Sequence, residues 1–337
     1  MLKYAVIICS FLLLLGLGFL IYQTNSFNFS LNRKPLQKVT VRLAWLHQAQ
    51  FAGFYVAKEK GLYEKAGLDV ELKEYEENLK SLEELKEGQS DFTLVTPLEV
   101  ITAVDQGDQI KAIAAIYQTS PLAFASLKSS HITSPADFKG KTIGAKGGNQ
   151  EAKVKYRSLM QSYKLTSSDV RIKDVDYQMD EADDLLKKRV DLIDLYRTDQ
   201  PYIMKEKGVD INLLLPERFG ISGYGDTIVT TDSLISKNPE MVKAFVQATI
   251  SGWEQALDDP EEALRIVEKY QNSDYADPDR QKHILEQSAP LIRPSGGQAI
   301  GDMSFIIWSQ IADLAKSSKL VSDEFDVVKA YTSQFIK

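Results

Sequence analysis

Apolar positions divide the chain into three regimes. From Tyr4 to Tyr22 the run is almost continuous (YAVIICSFLLLLGLGFLIY). At about 1.5 Å per helical residue, roughly 19 residues of this kind span a bilayer core. Residues 23–37 (QTNSFNFSLNRKPLQ) are polar and irregular and read as a tether. From Lys38 onward short β-rich runs alternate with helical ones. VTVRLAW (39–45), LDVELKEY (68–75), DFTLVT (91–96) and IKAIAAIY (110–117) predict strands. FAGFYVAKEKG (51–61) predicts a helix closed by Gly61. Leu79, Leu82 and Leu85 predict another before Gly88, and Thr96-Pro97-Leu98-Glu99 is a capping box with proline at the first helical position.

The alternation continues through KTIGA (141–145), VRIKDVD (170–176), VDLIDLY (190–196), VDINLLL (209–215) and DTIVTTD (226–232). Beyond these the chain turns helical. Asn238-Pro239 opens a long helix with Val242, Phe245, Val246, Trp253 and Leu257 on one face. Asp259-Pro260 and Asp277-Pro278 open further helices, and another carries Ile306, Ile307 and Ile311. Strands separated by helices predict parallel sheets joined by crossovers. Two such β/α halves with a helical tail predict an α/β chain of two lobes around a central ligand cleft.

The leader decides location. Lys3 precedes it, no A-x-A cleavage site follows it, and Cys9 is preceded by Ile8 where a lipoprotein needs a small residue. The reading is an uncleaved signal anchor, a transmembrane helix over 1–22 with the tether over 23–37. A cleaved signal peptide and a lipoprotein are the alternatives, and all three place the rest of the chain outside the cytoplasm. The formal net charge of −7 argues against nucleic acid as a partner. Cys9 is the sole cysteine, so disulfides, thiolate metal sites and thiol catalysis are excluded from the folded part. His47, His131 and His283 are far apart without metal-ligand spacing, and no G-x-S-x-G elbow or phosphate loop is present. No catalytic residue, metal or cofactor is expected.

In open α/β sheets ligands bind beyond the carboxyl ends of the strands. There the chain places Trp45 and Gln48, then Gln118 and Ser120, then Gly147-Gly148-Asn149, then Tyr196 with Asp199 and Gln200, then Tyr224 before Asp226. Aromatic faces mixed with amides and hydroxyls suit a flat heteroaromatic ligand. Each has a plainer reading. Trp45 fits a core, the glutamines fit solvent, and the tyrosines fit the edge of a core. Gly147-Gly148-Asn149 fits a tight turn, or a helix start that receives a ligand oxygen. Trp253 and Trp308 read as core, and Asp226 as a pin for the chain between lobes.

WLHQAQFAGFYVAKEKGLYEKAGLDVEL (45–72), IYQTSPLAFAS (116–126), TSPADFKGKTIGAKGG (133–148) and FGISGYGDTIVTTDSLISKNPEMVKAFVQA (219–248) resemble the solute-binding proteins that include the aliphatic-sulfonate and thiamine-pyrimidine-precursor binders. IGDMSFIIWSQIADLAKSSKLV (300–321) resembles the tail of members with a pyrimidine-binding-like domain. The resemblance implies a type-II periplasmic-binding fold, with residues 38–120 plus 226–337 in one lobe and 121–225 in the other. It implies ligand contacts at Trp45, Gln48, Gln118, Ser120, Tyr196 and Tyr224. Thr198-Asp199-Gln200-Pro201 stands where similar sequences often read Thr-Asn-Glu-Pro, so the acid and amide look exchanged, and either Asp199 is the substitute acceptor or the ligand differs. The implied function is delivery of a thiamine-related pyrimidine or similar small heterocycle to the permease subunits of an ABC importer. The alternative is a sensing lobe for a membrane signalling partner. A thiamine pyrimidine synthase of the same superfamily is disfavoured. Val95 and Glu99 stand where that enzyme has its pyridoxal-phosphate lysine and its histidine, and Gly220–Gly225 holds no cysteine.

Overall fold

The computed structural model describes residues 35–76, 80–147, 149–176, 181–271 and 276–337. The expected leader, all but the last residues of the tether, Leu79 and Gly148 lie outside them. Among the described residues no helix is long and apolar enough to cross a membrane. Lys38–Lys337 form one unit, which is described below.

Among the described residues ten strands form two five-stranded sheets, one to each lobe. The first holds β1 (Gln37–Arg42), β2 (Leu68–Lys73), β3 (Phe92–Val95), β4 (Ile110–Ala115) and a late return, β10 (Thr227–Thr231), in the order β2-β1-β3-β10-β4. The second holds β5 (Leu122–Leu127), β6 (Thr142–Lys146), β7 (Arg171–Val175), β8 (Leu192–Tyr196) and β9 (Ile211–Leu214), in the order β7-β6-β8-β5-β9. Both sheets are mixed, which corrects the expectation of parallel sheets. β10 runs antiparallel to β3 and β4, and β5 antiparallel to β8 and β9. The cause is that β5 and β10 are the first strands after each passage between lobes. Neither is entered through a crossover helix, so neither is held to the parallel sense. β5 was not among the expected strands. Its buried run of alternating small and large residues (LAFASL) follows Pro121 without a helix before it.

The helices start where expected at Pro97, Pro239, Pro260 and Pro278, while the starts at Glu181, Gln200 and Asp232 carried no prediction. Among the described residues they are α1 (Ala52–Glu59), α2 (Leu62–Lys65), α3 (Ser81–Lys86), α4 (Pro97–Asp105), α5 (Gln150–Ser162), α6 (Glu181–Leu186), α7 (Gln200–Glu206), α8 (Asp232–Lys237), α9 (Pro239–Asp258), α10 (Pro260–Val267), α11 (Pro278–Ile292) and α12 (Phe305–Ser317). The capping box at Thr96 forms, with the Glu99 backbone N–H donating to Thr96 Oγ1 and Glu99 Oε2 accepting from the Thr96 N–H. Along α9, Val242, Phe245, Val246, Thr249 and Trp253 recur at helical spacing and are buried against α1 and the first sheet. Trp253 and Trp308 are both fully buried.

The chain crosses between the sheets after β4 and again before β10, and the two crossing segments lie side by side. The Gly225 N–H donates to Tyr117 O at 3.0 Å, the Ile116 N–H to Asp226 O at 2.9 Å, and the Ser120 N–H to Gly223 O at 2.7 Å. Gly225 permits this approach. A Cβ there would stand 2.7 Å from Pro121 Cδ and 2.8 Å from Tyr117 Cβ, atoms next to backbone that cannot swing away. Two residues earlier, a Cβ at Gly223 would meet only Ile311, at an ordinary 3.9 Å. Gly225→Ala is therefore expected to lower unfolding stability by about 1–3 kcal/mol, as overpacking does. Gly223→Ala should stay within about 0.5 kcal/mol of the parent. Urea unfolding of the two variants side by side measures the difference.

Candidate functional site

Three loops and one helix start surround a cavity of about 180 Å³. Trp45, Leu46, His47 and Gln48 come from the loop after β1. Lys146 comes from the end of β6. Asp199, Gln200 and Ile203 come from the turn after β8 and the start of α7, and Arg280 and Gln281 from the start of α11. Both sheets thus contribute the ends of their strands.

The β1 loop is shaped by a buried charge. Arg42 donates to both oxygens of Glu84 at 2.8 and 2.9 Å, and to the Glu74 carbonyl. This draws the chain after β2 alongside β1, and the Tyr75 N–H donates to Trp45 O at 3.1 Å. The Trp45 and Tyr75 rings stack with centroids 5.0 Å apart and planes at 27°. The expected strand through Trp45 ends instead at Arg42, and the chain bends so that the indole lines the cavity. His47 Nδ1 lies 2.9 Å from the Tyr55 hydroxyl, whose ring stacks on Tyr270. Burial holds His47 below the usual histidine value, with Glu74 opposing, so the imidazole is neutral at pH 7. Gln281 Oε1 accepts from the Ala49 N–H at 2.7 Å and fastens the loop to α11.

Below the loop, Gln48 Nε2 donates to Gln50 Oε1 at 2.7 Å, and Gln50 Nε2 donates to Asp226 Oδ2 at 2.7 Å. Asp226 sits on the second crossing. Burial pushes its carboxyl up to about 6, with the Gln50 hydrogen bond opposing and the Glu151 and Glu99 carboxylates adding. Across the cavity, Asp199 accepts from Arg280 Nε at Oδ1 and from Arg280 Nη2 at Oδ2, both at 2.7 Å. The Asp199 side chain is only 7% exposed and Arg280 20%. This two-pronged ion pair joins the turn after β8 to α11. One turn further along both helices, Tyr202 faces His283 with ring centroids 5.4 Å apart.

Of the ten residues singled out in the sequence, Trp45, Gln48, Asp199 and Gln200 line this cavity. The other six are placed elsewhere or have structural partners. Gln118 Nε2 donates to the carbonyls of Ala115 and Asp302, bracing the first crossing. Ser120 Oγ accepts from Lys155 Nζ at 2.9 Å and donates to Glu151. Tyr224 is buried, accepts the Ser304 N–H at its hydroxyl, and lines a separate space of about 20 Å³ with Glu151, Lys155 and Ile311. Tyr196 packs against the core of the second lobe. Gly147 takes a positive φ in the turn after β6. Asn149 caps α5, its Oδ1 accepting from the Ala152 N–H and its Nδ2 donating to Asp194 Oδ2. The helix start proposed as a receiver of a ligand oxygen is thus capped by its own asparagine. Asp199, the expected substitute acceptor, already holds Arg280 with both oxygens. Gln200 Oε1 accepts the Tyr196 N–H at 2.9 Å. Leu46, His47, Lys146, Ile203, Arg280 and Gln281 were not expected. Leu46, His47 and Lys146 carried a sequence signal as neighbours of strand-end candidates, while Arg280 and Gln281 arrive from a helix some 230 positions downstream of the first loop.

Two measurements probe this geometry. A carboxyl whose value is raised on folding holds a proton that the unfolded chain has released. Its contribution to stability is therefore greatest below about pH 4 and falls as pH rises through about 6. Asp226→Asn removes that dependence. It should match the parent near pH 4 and exceed it above pH 6 by on the order of 2 kcal/mol, read from unfolding curves across pH. For Asp199 and Arg280, either single alanine variant strands a largely buried charge. A double-mutant cycle on unfolding should return a coupling of about 2 kcal/mol.

Comparison with known proteins fits this architecture. A family model described as NMT1/THI5 like matches residues 48–263. The riboflavin-binding protein RibY of Chloroflexus aurantiacus is 26% identical over 312 residues, covering 90% of this chain and 88% of that one. A formylaminopyrimidine-binding protein of Halalkalibacterium halodurans is 23% identical over 317 residues, covering 91% and 94%. Other matched relatives, at 20–24% identity, are named as pyrimidine phosphate synthases. Among solved structures, the periplasmic aliphatic sulphonate binding protein SsuA of Escherichia coli superposes with a TM-score of 0.69 at 15% identity, covering 87% of this chain and 91% of that one. The fold is that of the periplasmic binding proteins, and with more than half of its length matched the chain belongs to the NMT1/THI5-like family.

Proposed function

We propose that this chain is the extracytoplasmic solute-binding component of an ABC importer, and that its two lobes, arranged in the type-II manner, close on a flat nitrogen heterocycle of the flavin or aminopyrimidine kind. The observation that carries this reading is the 180 Å³ cavity between the strand ends of both sheets, with the Trp45–Tyr75 stack on one side. A flat ring gains from an aromatic face, and Gln48 and Gln200 supply amides to meet its edge. The ion pair of Asp199 with Arg280 joins elements on opposite sides of the cavity, which suits lobes that shut by hinge motion about the paired crossings. Two relatives that match nearly the whole chain are named for binding riboflavin and formylaminopyrimidine, which supports the ligand class.

Delivery without chemistry is favoured over synthesis by the residues at the positions that matter. Val95 is buried in β3 and has no amine for a Schiff base. Glu99 is occupied by the Thr96 capping box. The apolar run Tyr4–Tyr22 supports anchoring at the outer face of a membrane.

A thermal-shift screen with riboflavin, aminopyrimidines and alkanesulfonates tests the ligand class, because a ligand bound only by the folded state raises the melting point. A response to the alkanesulfonates alone would displace the heterocycle reading. Trp45→Ala is expected to weaken binding of the responding heterocycle by about 1–3 kcal/mol, roughly 5- to 150-fold. Titration calorimetry measures this, and an unchanged affinity would remove the indole from the site.

A further inference from the structure

The amides at the base of the cleft form a relay with a fixed direction. Asp226, Gln50 and Gln48 are 4%, 5% and 8% exposed, and the two hydrogen bonds joining them are each 2.7 Å long. A primary amide can turn either its oxygen or its NH₂ toward a neighbour, whereas an ionised carboxylate only accepts. Gln50 must therefore give its NH₂ to Asp226. Its oxygen then faces Gln48, which must answer with its own NH₂. The alternative rotamer of Gln48 would set two oxygens against each other at 2.7 Å in a place nearly closed to water, leaving a buried acceptor unpaired. Gln48 Oε1 is left as the end of the chain. Among the described residues nothing donates to it, and Gln48 lines the cavity. Direction is thus transmitted from the crossing between the lobes, through two side chains, to the wall of the binding site.

We infer that Asp226 and Gln50 are positioning residues that lock Gln48 as a hydrogen-bond acceptor, and that the ligand accordingly carries a donor, a ring N–H or an amino group, on the edge that meets Gln48. The ligand half of this inference rests on the cleft being the binding site for a heterocycle. The relay half does not. A neutral asparagine at 226 keeps the shape and offers both an oxygen and an NH₂, so Gln50 is free to turn and Gln48 with it. The polarity of the wall then ceases to be imposed.

The test uses the purified full-length protein at pH 8, above the value to which burial pushes the Asp226 carboxyl. Side-chain amides are labelled with ¹⁵N-glutamine and assigned by single substitution. In Asp226→Asn the NH₂ resonances of both Gln50 and Gln48 should move, while those of Gln281, which lies in the same wall outside the relay, stay in place. Selectivity is read by calorimetry with riboflavin against its N3-methyl derivative, and with an aminopyrimidine against its dimethylamino analogue. The parent should prefer the N–H member of the pair it binds by at least about tenfold, and Asp226→Asn should reduce that preference to within about threefold. Trp45→Ala should weaken both members together and leave the ratio intact. A Gln48 signal that does not respond to Asp226→Asn overturns the relay. A signal that responds with an unchanged ratio overturns the claim that the relay sets ligand choice. If the parent binds neither pair, the heterocycle reading falls and the donor requirement with it, while the amide shifts still decide the relay.

Discussion

The two segments that cross between the sheets must lie close enough to bond to one another, and the rest of the molecule is arranged around that requirement. Ile116 through Ser120 runs beside Gly223 through Asp226, joined by three backbone hydrogen bonds of 2.7 to 3.0 Å. Backbone groups shut away from water need such partners, and here each crossing is the other's partner. The approach leaves no room for a side chain at 225, which explains the glycine. It also delivers the Asp226 carboxylate into the interior, where it is reached by Gln50 from the loop after the first strand. The paired crossings and the floor of the cavity are therefore one piece of structure.

The electrostatics of the cleft divide into two kinds of contact. At the mouth, Asp199 and Arg280 form a paired, two-pronged contact between the turn after β8 and α11. At the floor, the buried Asp226 carboxylate has no cation bonded to it among the described residues and is met by the Gln50 amide. The first contact bears on how the lobes meet. The second bears on what the wall presents, because an acceptor that cannot reverse its role imposes an order on the neutral groups bonded to it. Lys155, the buried cation near the crossings, is paired with Glu151 at 2.6 Å and bonded to Ser120, so it lies within a neighbouring contact between α5 and the first crossing.

Much of the architecture was legible in local pattern. The Pro-led helix starts at 97, 239, 260 and 278 all appear as helix starts, because proline at the first position lacks only a donor that the helix does not use. The burial of Trp253 and Trp308 followed from their places on helical faces. Strand sense was not legible. β5 and β10 are short apolar runs like their neighbours, and their antiparallel pairing comes from where the chain re-enters each sheet. The candidate site was legible in part. Trp45 and Gln48 follow a strand directly, and a position after a strand is a local property. Gln118, Ser120 and Asn149 follow strands too, but their polar groups are used by Asp302, Lys155 and Asp194, partners that local spacing does not announce.

By itself the sequence determined the alternation of strand and helix, the positions of the caps, the apolar leader and the confinement of the sole cysteine to that leader. These depend on periodicity and composition, which act over a few residues. The tertiary structure alone decided which strand-end groups share a cavity and which way they face. Gln50 meets Asp226 across 176 positions and Ala49 meets Gln281 across 232. A hydrogen bond is satisfied by whichever group the fold brings within about 3 Å, and that choice is made by packing.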